Sequence, residues 1–189
     1  MSKVKGALLM NFAKLIRDNK DRAWSKYLTE DDMKVLFGTV MPNSWYPLDI
    51  YERAGFAIFN EIGQGKLQNA WTWGKFLIED LGSRFYRNLV SYQEPIGSLE
   101  RCRTFLNQWF QFDDPKFIPL EVEPQGKNQA KIIYRYERPL DFFEASVNQI
   151  AGSMERIVEL NGGKEVKTSI VELAAKRNVP YAVLSISWK

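Results

Sequence analysis

At Pro115 the hydrophobic period of this chain changes, and that change restricts the folds open to it. Before Pro115 apolar residues recur every three or four positions; after it they alternate. Tyr51, Ala54, Ile58 and Ile62 step along one helix face until Gly63 and Gly65 break the pattern. From 66 to about 90 a longer helical run places Leu67, Ala70, Trp71, Gly74, Leu77, Ile78 and Leu81 on its apolar face. Glycine inside a helix costs about 1 kcal/mol relative to alanine, so Gly74 points to the close approach of another backbone. Pro95 opens a further helix with Leu99, Cys102, Leu106, Trp109 and Phe110, and Asp113-Asp114-Pro115 closes it.

Beyond Pro115, Phe117, Ile118, Leu120 and Val122 predict a strand. Gln125-Gly126-Lys127-Asn128 predicts the turn, and Ile132, Tyr134 and Tyr136 the return strand. Pro139 predicts the start of a helix carrying Phe143, Val147, Ile150, Met154, Ile157 and Val158, ended at Gly162-Gly163 by a left-handed cap. Two more strands are expected at about 165–173 and 181–188. Helices first and strands later predict an α+β fold. Its helical lobe covers about 1–115, and an antiparallel sheet packed against one long helix covers about 116–189, within a single domain.

Local signals sharpen the first lobe. Thr29-Glu30-Asp31-Asp32 reads as a capping box, which accounts for the acidic cluster without a cation. Gly38 stops that helix, and Pro47 takes the first turn of the next. Between them, Pro42-Asn43-Ser44-Trp45-Tyr46-Pro47 sets two aromatics in an extended bracket, because each proline fixes φ and biases the preceding residue away from the helix. Trp45 and Tyr46 either line an apolar ligand pocket or anchor the loop to the core. Trp71 and Trp73 lie two apart, so one is expected in the core and the other more exposed. Cys102, between Arg101 and Arg103, is either a lowered-pKa thiol or a buried inert one.

Several chemistries are excluded or left without a signal. The chain has 189 residues, no histidine and one cysteine. Ser-His-Asp and Cys-His catalysis, histidine metal sites, an internal disulfide and cysteine clusters are therefore out. A net charge of +3 with the basic residues scattered among acids offers no phosphate track, so nucleic acid is not an expected partner. No run is long enough for a membrane span and no signal peptide is read, so a cytoplasmic protein is expected. No cofactor or metal is expected.

Val4-Lys5-Gly6, Pro42-Asn43-Ser44-Trp45-Tyr46-Pro47-Leu48, Trp73-Gly74-Lys75, Tyr86-Arg87, Trp109 and Ile186-Ser187-Trp188 resemble a bacterial domain-of-unknown-function family abundant in myxobacteria and their relatives. From Pro139 through Gly162-Gly163 to Trp188 the chain also resembles 4-vinyl-reductase-type domains. More distantly it resembles haem-nitric-oxide-binding sensors and vesicle-tethering subunits. The resemblance implies a helix on an antiparallel sheet with an apolar cavity between them. The histidine ligand and Tyr-x-Ser-x-Arg motif of the haem sensors are missing, as are the paired cysteines of the vinyl-reductase type.

Together these readings predict a non-enzymatic regulatory or sensing module for a small apolar ligand, with Trp45, Tyr46, Tyr51, Trp71 and Trp109 as the binding residues. The alternative is a protein-interaction or scaffold domain, including a homodimer, working through an aromatic patch or a sheet edge. Enzymatic action would have to rest on carboxylates such as Glu52, Glu61 or Glu79.

Overall fold

The computed structural model describes residues 1–84, 94–176 and 179–189. In chain order the elements are β1 (Lys3–Lys5), α1 (Gly6–Asp18), α2 (Glu30–Phe37), β2 (Trp45–Pro47), α3 (Leu48–Glu61), α4 (Leu67–Arg84), α5 (Pro95–Trp109), β3 (Phe110–Gln111), β4 (Leu120–Gly126), β5 (Gln129–Arg135), α6 (Phe143–Leu160), β6 (Lys167–Lys176) and β7 (Val179–Ser187). The fold is α+β, with helices leading and an antiparallel sheet following.

The chain forms two compact units. The first holds Met1–Lys66 and Asn107–Pro115; the second holds Leu67–Leu106 and Lys116–Lys189. The change of period at Pro115 thus coincides with one crossing between the units. The other crossings fall at Lys66 and within α5, so α4 and most of α5 belong with the sheet.

In the first unit, α1, α2 and α3 surround Leu8, Leu9, Phe12, Ala13, Ile16, Leu36, Leu48, Ala54 and Ala57, all buried. The capping box is present: Asp32 N–H donates to Thr29 Oγ1 at 3.1 Å and Thr29 N–H to Asp32 Oδ2 at 2.9 Å. Asp32 also accepts a forked pair from Arg53, at 2.7 and 2.8 Å. Arg17 donates to the carbonyls of Leu36 and Gly38 at 3.3 and 2.6 Å, serving the unpaired C-terminal end of α2.

A three-stranded antiparallel sheet, ordered β2-β1-β3, completes this unit. Its strands hold three, three and two residues, too short to show a period. Two expectations change here. Pro47 closes β2 and caps α3 from outside, while Leu48 begins the helix and donates its N–H to Ser2 O at 3.0 Å. Phe110 leaves α5 and pairs with Val4, so the helix ends at Trp109.

In the second unit the sheet is ordered β4-β5-β7-β6, all antiparallel. Leu120, Ala130, Ile132, Tyr134, Ala182, Leu184 and Ile186 are buried on one face, as the alternation predicts. Helix α6 covers that face: Tyr134 stacks on Phe143, with ring centroids 5.7 Å apart, and accepts from Ser146 Oγ at 3.2 Å. The helix starts at Phe143 rather than at Pro139, because residues 141–142 form a turn closed by Phe143 N–H to Leu140 O. It ends as expected, with Gly162 at φ +99°.

Helix α4 lies against α6 at a crossing without spare room. A Cβ on Gly74 would stand 1.9 Å from Gln149 O, and one on Gly152 would stand 2.0 Å from Trp71 O. Ser153 Oγ donates to Gly74 O at 3.1 Å across the same crossing. Lys75 pairs with Glu155 and Glu159, and Arg156 with Glu79 and Glu159. The expected stretch of α4 beyond Arg84 and the loop around 177–178 lie outside the described residues.

Candidate functional site

The Trp45-Tyr46 pair is extended, as its prolines require, but it lies within a strand and therefore alternates. Tyr46 pairs with Val4, which pairs on its other side with Phe110, so these three share one face of the small sheet. Trp45 pairs with Lys5 on the opposite face, where Lys5 Nζ sits 4.3 Å from the Trp45 ring centroid. The two rings do not form one wall. Each is half-buried.

Tyr46 also ties the bracket down. Met41 N–H donates to its hydroxyl at 2.9 Å. Gly6 and Ala7, the first amides of α1, donate to Ser44 O and Pro42 O at 2.8 and 3.0 Å, so the bracket satisfies donors that the helix cannot. Only glycine fits at the start of α1, since a Cβ on Gly6 would stand 2.0 Å from Met41 O.

On the Tyr46 face lies an aromatic cluster. Tyr51 of α3 stacks on Phe12 of α1, with centroids 4.7 Å apart and planes 10° from parallel, and meets Phe110 edge-on at 5.7 Å. Phe110 stacks in turn on Phe112 at 5.8 Å. The sequence did not single out Phe12, Phe110 and Phe112 as neighbours of Tyr51; the period-two spacing of Phe110 and Phe112 was the available signal. Trp109 is buried within the same unit. Trp71 belongs to the second unit. Trp71 and Trp73 are both half-buried, so neither is the expected core residue. Trp73 leans on Phe76, centroids 5.2 Å apart.

Two of the polar candidates, Cys102 and Glu79, are held by neighbours. Cys102 is buried and its S–H donates to Ser98 O at 3.3 Å. Burial pushes its thiol up to about 12, against a weaker pull from Arg101, so it is an inert thiol at neutral pH. Glu79 is paired with Arg156. Among the described residues no group of three or more acidic or cysteine side chains could hold a metal ion. Among the same residues no helix is long and apolar enough to cross a membrane.

No family model and no curated protein matches this chain. Solved structures do. A mutant of the T. Tengcongensis H-NOX superposes with a TM-score of 0.67 at 14% identity, covering 98% of this chain and 97% of its own. A structure probing heme distortion in the H-NOX family gives 0.66 at 14% identity, covering 98% and 95%. An oxygen-binding H-NOX domain related to soluble guanylate cyclases gives 0.67 at 16% identity, covering 98% and 95%. At these identities the likeness establishes the fold: the chain has an H-NOX-like architecture over nearly its whole length.

Proposed function

We propose that this chain is a non-enzymatic sensing module that takes a small apolar ligand on the aromatic cluster of its first unit. The observation that carries the reading is Tyr51, held between Phe12 and Phe110 with its hydroxyl as a polar tip. Rings that stack and meet edge-on offer apolar area in a fixed geometry, which suits a small apolar molecule. Tyr46 and Trp109 belong to the same unit; Trp45 and Trp71 extend the proposed set. The fold shared with an oxygen-binding H-NOX domain supports a role in sensing.

The heme of that fold family does not fit this chain. No histidine exists to ligate iron. The one thiol is buried, protonated and engaged with Ser98. The hydroxyls of Tyr46, Tyr134 and Tyr181 are engaged with Met41, Ser146 and Glu172. The proposed ligand is therefore apolar and organic. Single-domain organisation, a cytoplasmic location and kinship with the myxobacterial family marked by Trp45-Tyr46-Pro47 belong to the same proposal.

Titration with lipids and apolar metabolites, read by tryptophan fluorescence, is expected to give a saturable change with at least one class. Tyr51→Ala should weaken that binding about tenfold, a loss of roughly 1.4 kcal/mol, while Tyr51→Phe keeps it because the stack survives. A flat response across the panel, with nothing co-purifying, overturns the reading.

A further inference from the structure

The two edges of the four-stranded sheet are built differently. Edge strand β4 is guarded: it carries Pro124, an irregular register between Pro124 and Gly126, and the glutamates Glu121 and Glu123. Both edges carry charges and one register irregularity, but only β4 carries a proline, which removes a ladder donor and so protects against edge-to-edge pairing. Edge strand β6 runs for ten residues without proline, the longest strand among those described. It pairs only with β7 and leaves its outer backbone edge open among the described residues. It also carries two of the chain's exposed large apolar side chains, Val171 at 65% and Leu173 at 44%.

We propose that β6 is a self-association edge, through which two copies of this chain join their four-stranded sheets into one continuous antiparallel sheet. Charge selects the occupant and the register. Antiparallel partners lying opposite one another point to the same face. Lys167 and Ser169 oppose Ser187 and Ser185 of β7, while Thr168 and Ile170 oppose Ile186 and Leu184 on the buried face. The irregularity between Ile170 and Glu172 leaves Val171 as an extra residue and returns Glu172 to the Lys167 face.

A two-fold axis at Ser169 therefore sets Ser169 against its own copy and Thr168 against Ile170. It also sets Lys167 against Glu172, twice by symmetry. A second copy is thus complementary to the first. An axis at Glu172 would instead oppose two carboxylates. Glu172 already accepts from Tyr181 through one oxygen, and its second oxygen is left to meet the lysine. Val171, extra to the ladder, would cover the joint. This proposal is independent of the ligand reading.

Light scattering across a concentration series tests it, and a reversible monomer–dimer equilibrium is expected. Lys167→Glu alone or Glu172→Lys alone should weaken dimerisation about tenfold, and the double reversal should restore it. Ser169→Cys should give a disulfide-linked dimer on mild oxidation, since residues opposite at the axis lie within bridging distance and Cys102 is buried. A strict monomer at all concentrations overturns the proposal. So does a dimer indifferent to the charge reversals, or one that Ser169→Cys fails to cross-link.

Discussion

Gly74→Ala is expected to destabilise the second unit by about 3 kcal/mol, at the upper end of the usual cost of overpacking. Helix propensity alone predicts the opposite sign, a gain of about 1 kcal/mol for an exposed helix position. The crossing decides: the new methyl would stand 1.9 Å from Gln149 O, a main-chain atom that cannot swing aside. Gly152→Ala meets Trp71 O at 2.0 Å and should behave alike. Gly97→Ala is the control, because its methyl would meet the mobile end of the Glu94 side chain, and little loss is expected there. Denaturant unfolding measures all three. For a chain of this size about 3 kcal/mol corresponds to a fall of roughly 6–12 °C in Tm.

Asp32→Ala should cost about 2–3 kcal/mol, combining the lost Asp32 half of the capping box with lost charge-assisted hydrogen bonds from Arg53. Asp32 is only 1% exposed. Burial by itself would raise its pKa, but the Arg53 fork and the Thr29 amide and hydroxyl outweigh it, so the carboxyl titrates below its ordinary 3.8. A lowered folded pKa adds stability that is fully present above the unfolded value and is lost as pH falls through the folded one. The difference between wild type and Asp32→Asn should therefore be constant above about pH 5 and shrink below it. Stability curves at several pH values check this; a difference that grows on acidification contradicts it.

What the sequence made legible was local. Thr29 and Asp32 are three apart, so their capping box can be read without knowing the fold. Tyr134 and Leu184 sit in strands long enough to alternate. Gly74 announced that a backbone comes close, but its partners Gln149 and Ser153 lie in another helix far along the chain, and no local pattern names them. The small sheet was hidden because β1, β2 and β3 hold too few residues to show a period. That sheet decides how Trp45 and Tyr46 point. Adjacent in sequence, they looked like one aromatic unit; as neighbours in a strand they face opposite ways. Phe12, Tyr51 and Phe110 come from three different elements, so only the folded chain brings them together.

We propose that an H-NOX-like fold without a histidine senses an apolar organic ligand. Native mass spectrometry and the visible spectrum of protein freshly purified from haem-supplemented cells test it together. A small organic adduct on the intact chain and no Soret band are expected. A stoichiometric haem adduct with a Soret band would contradict it.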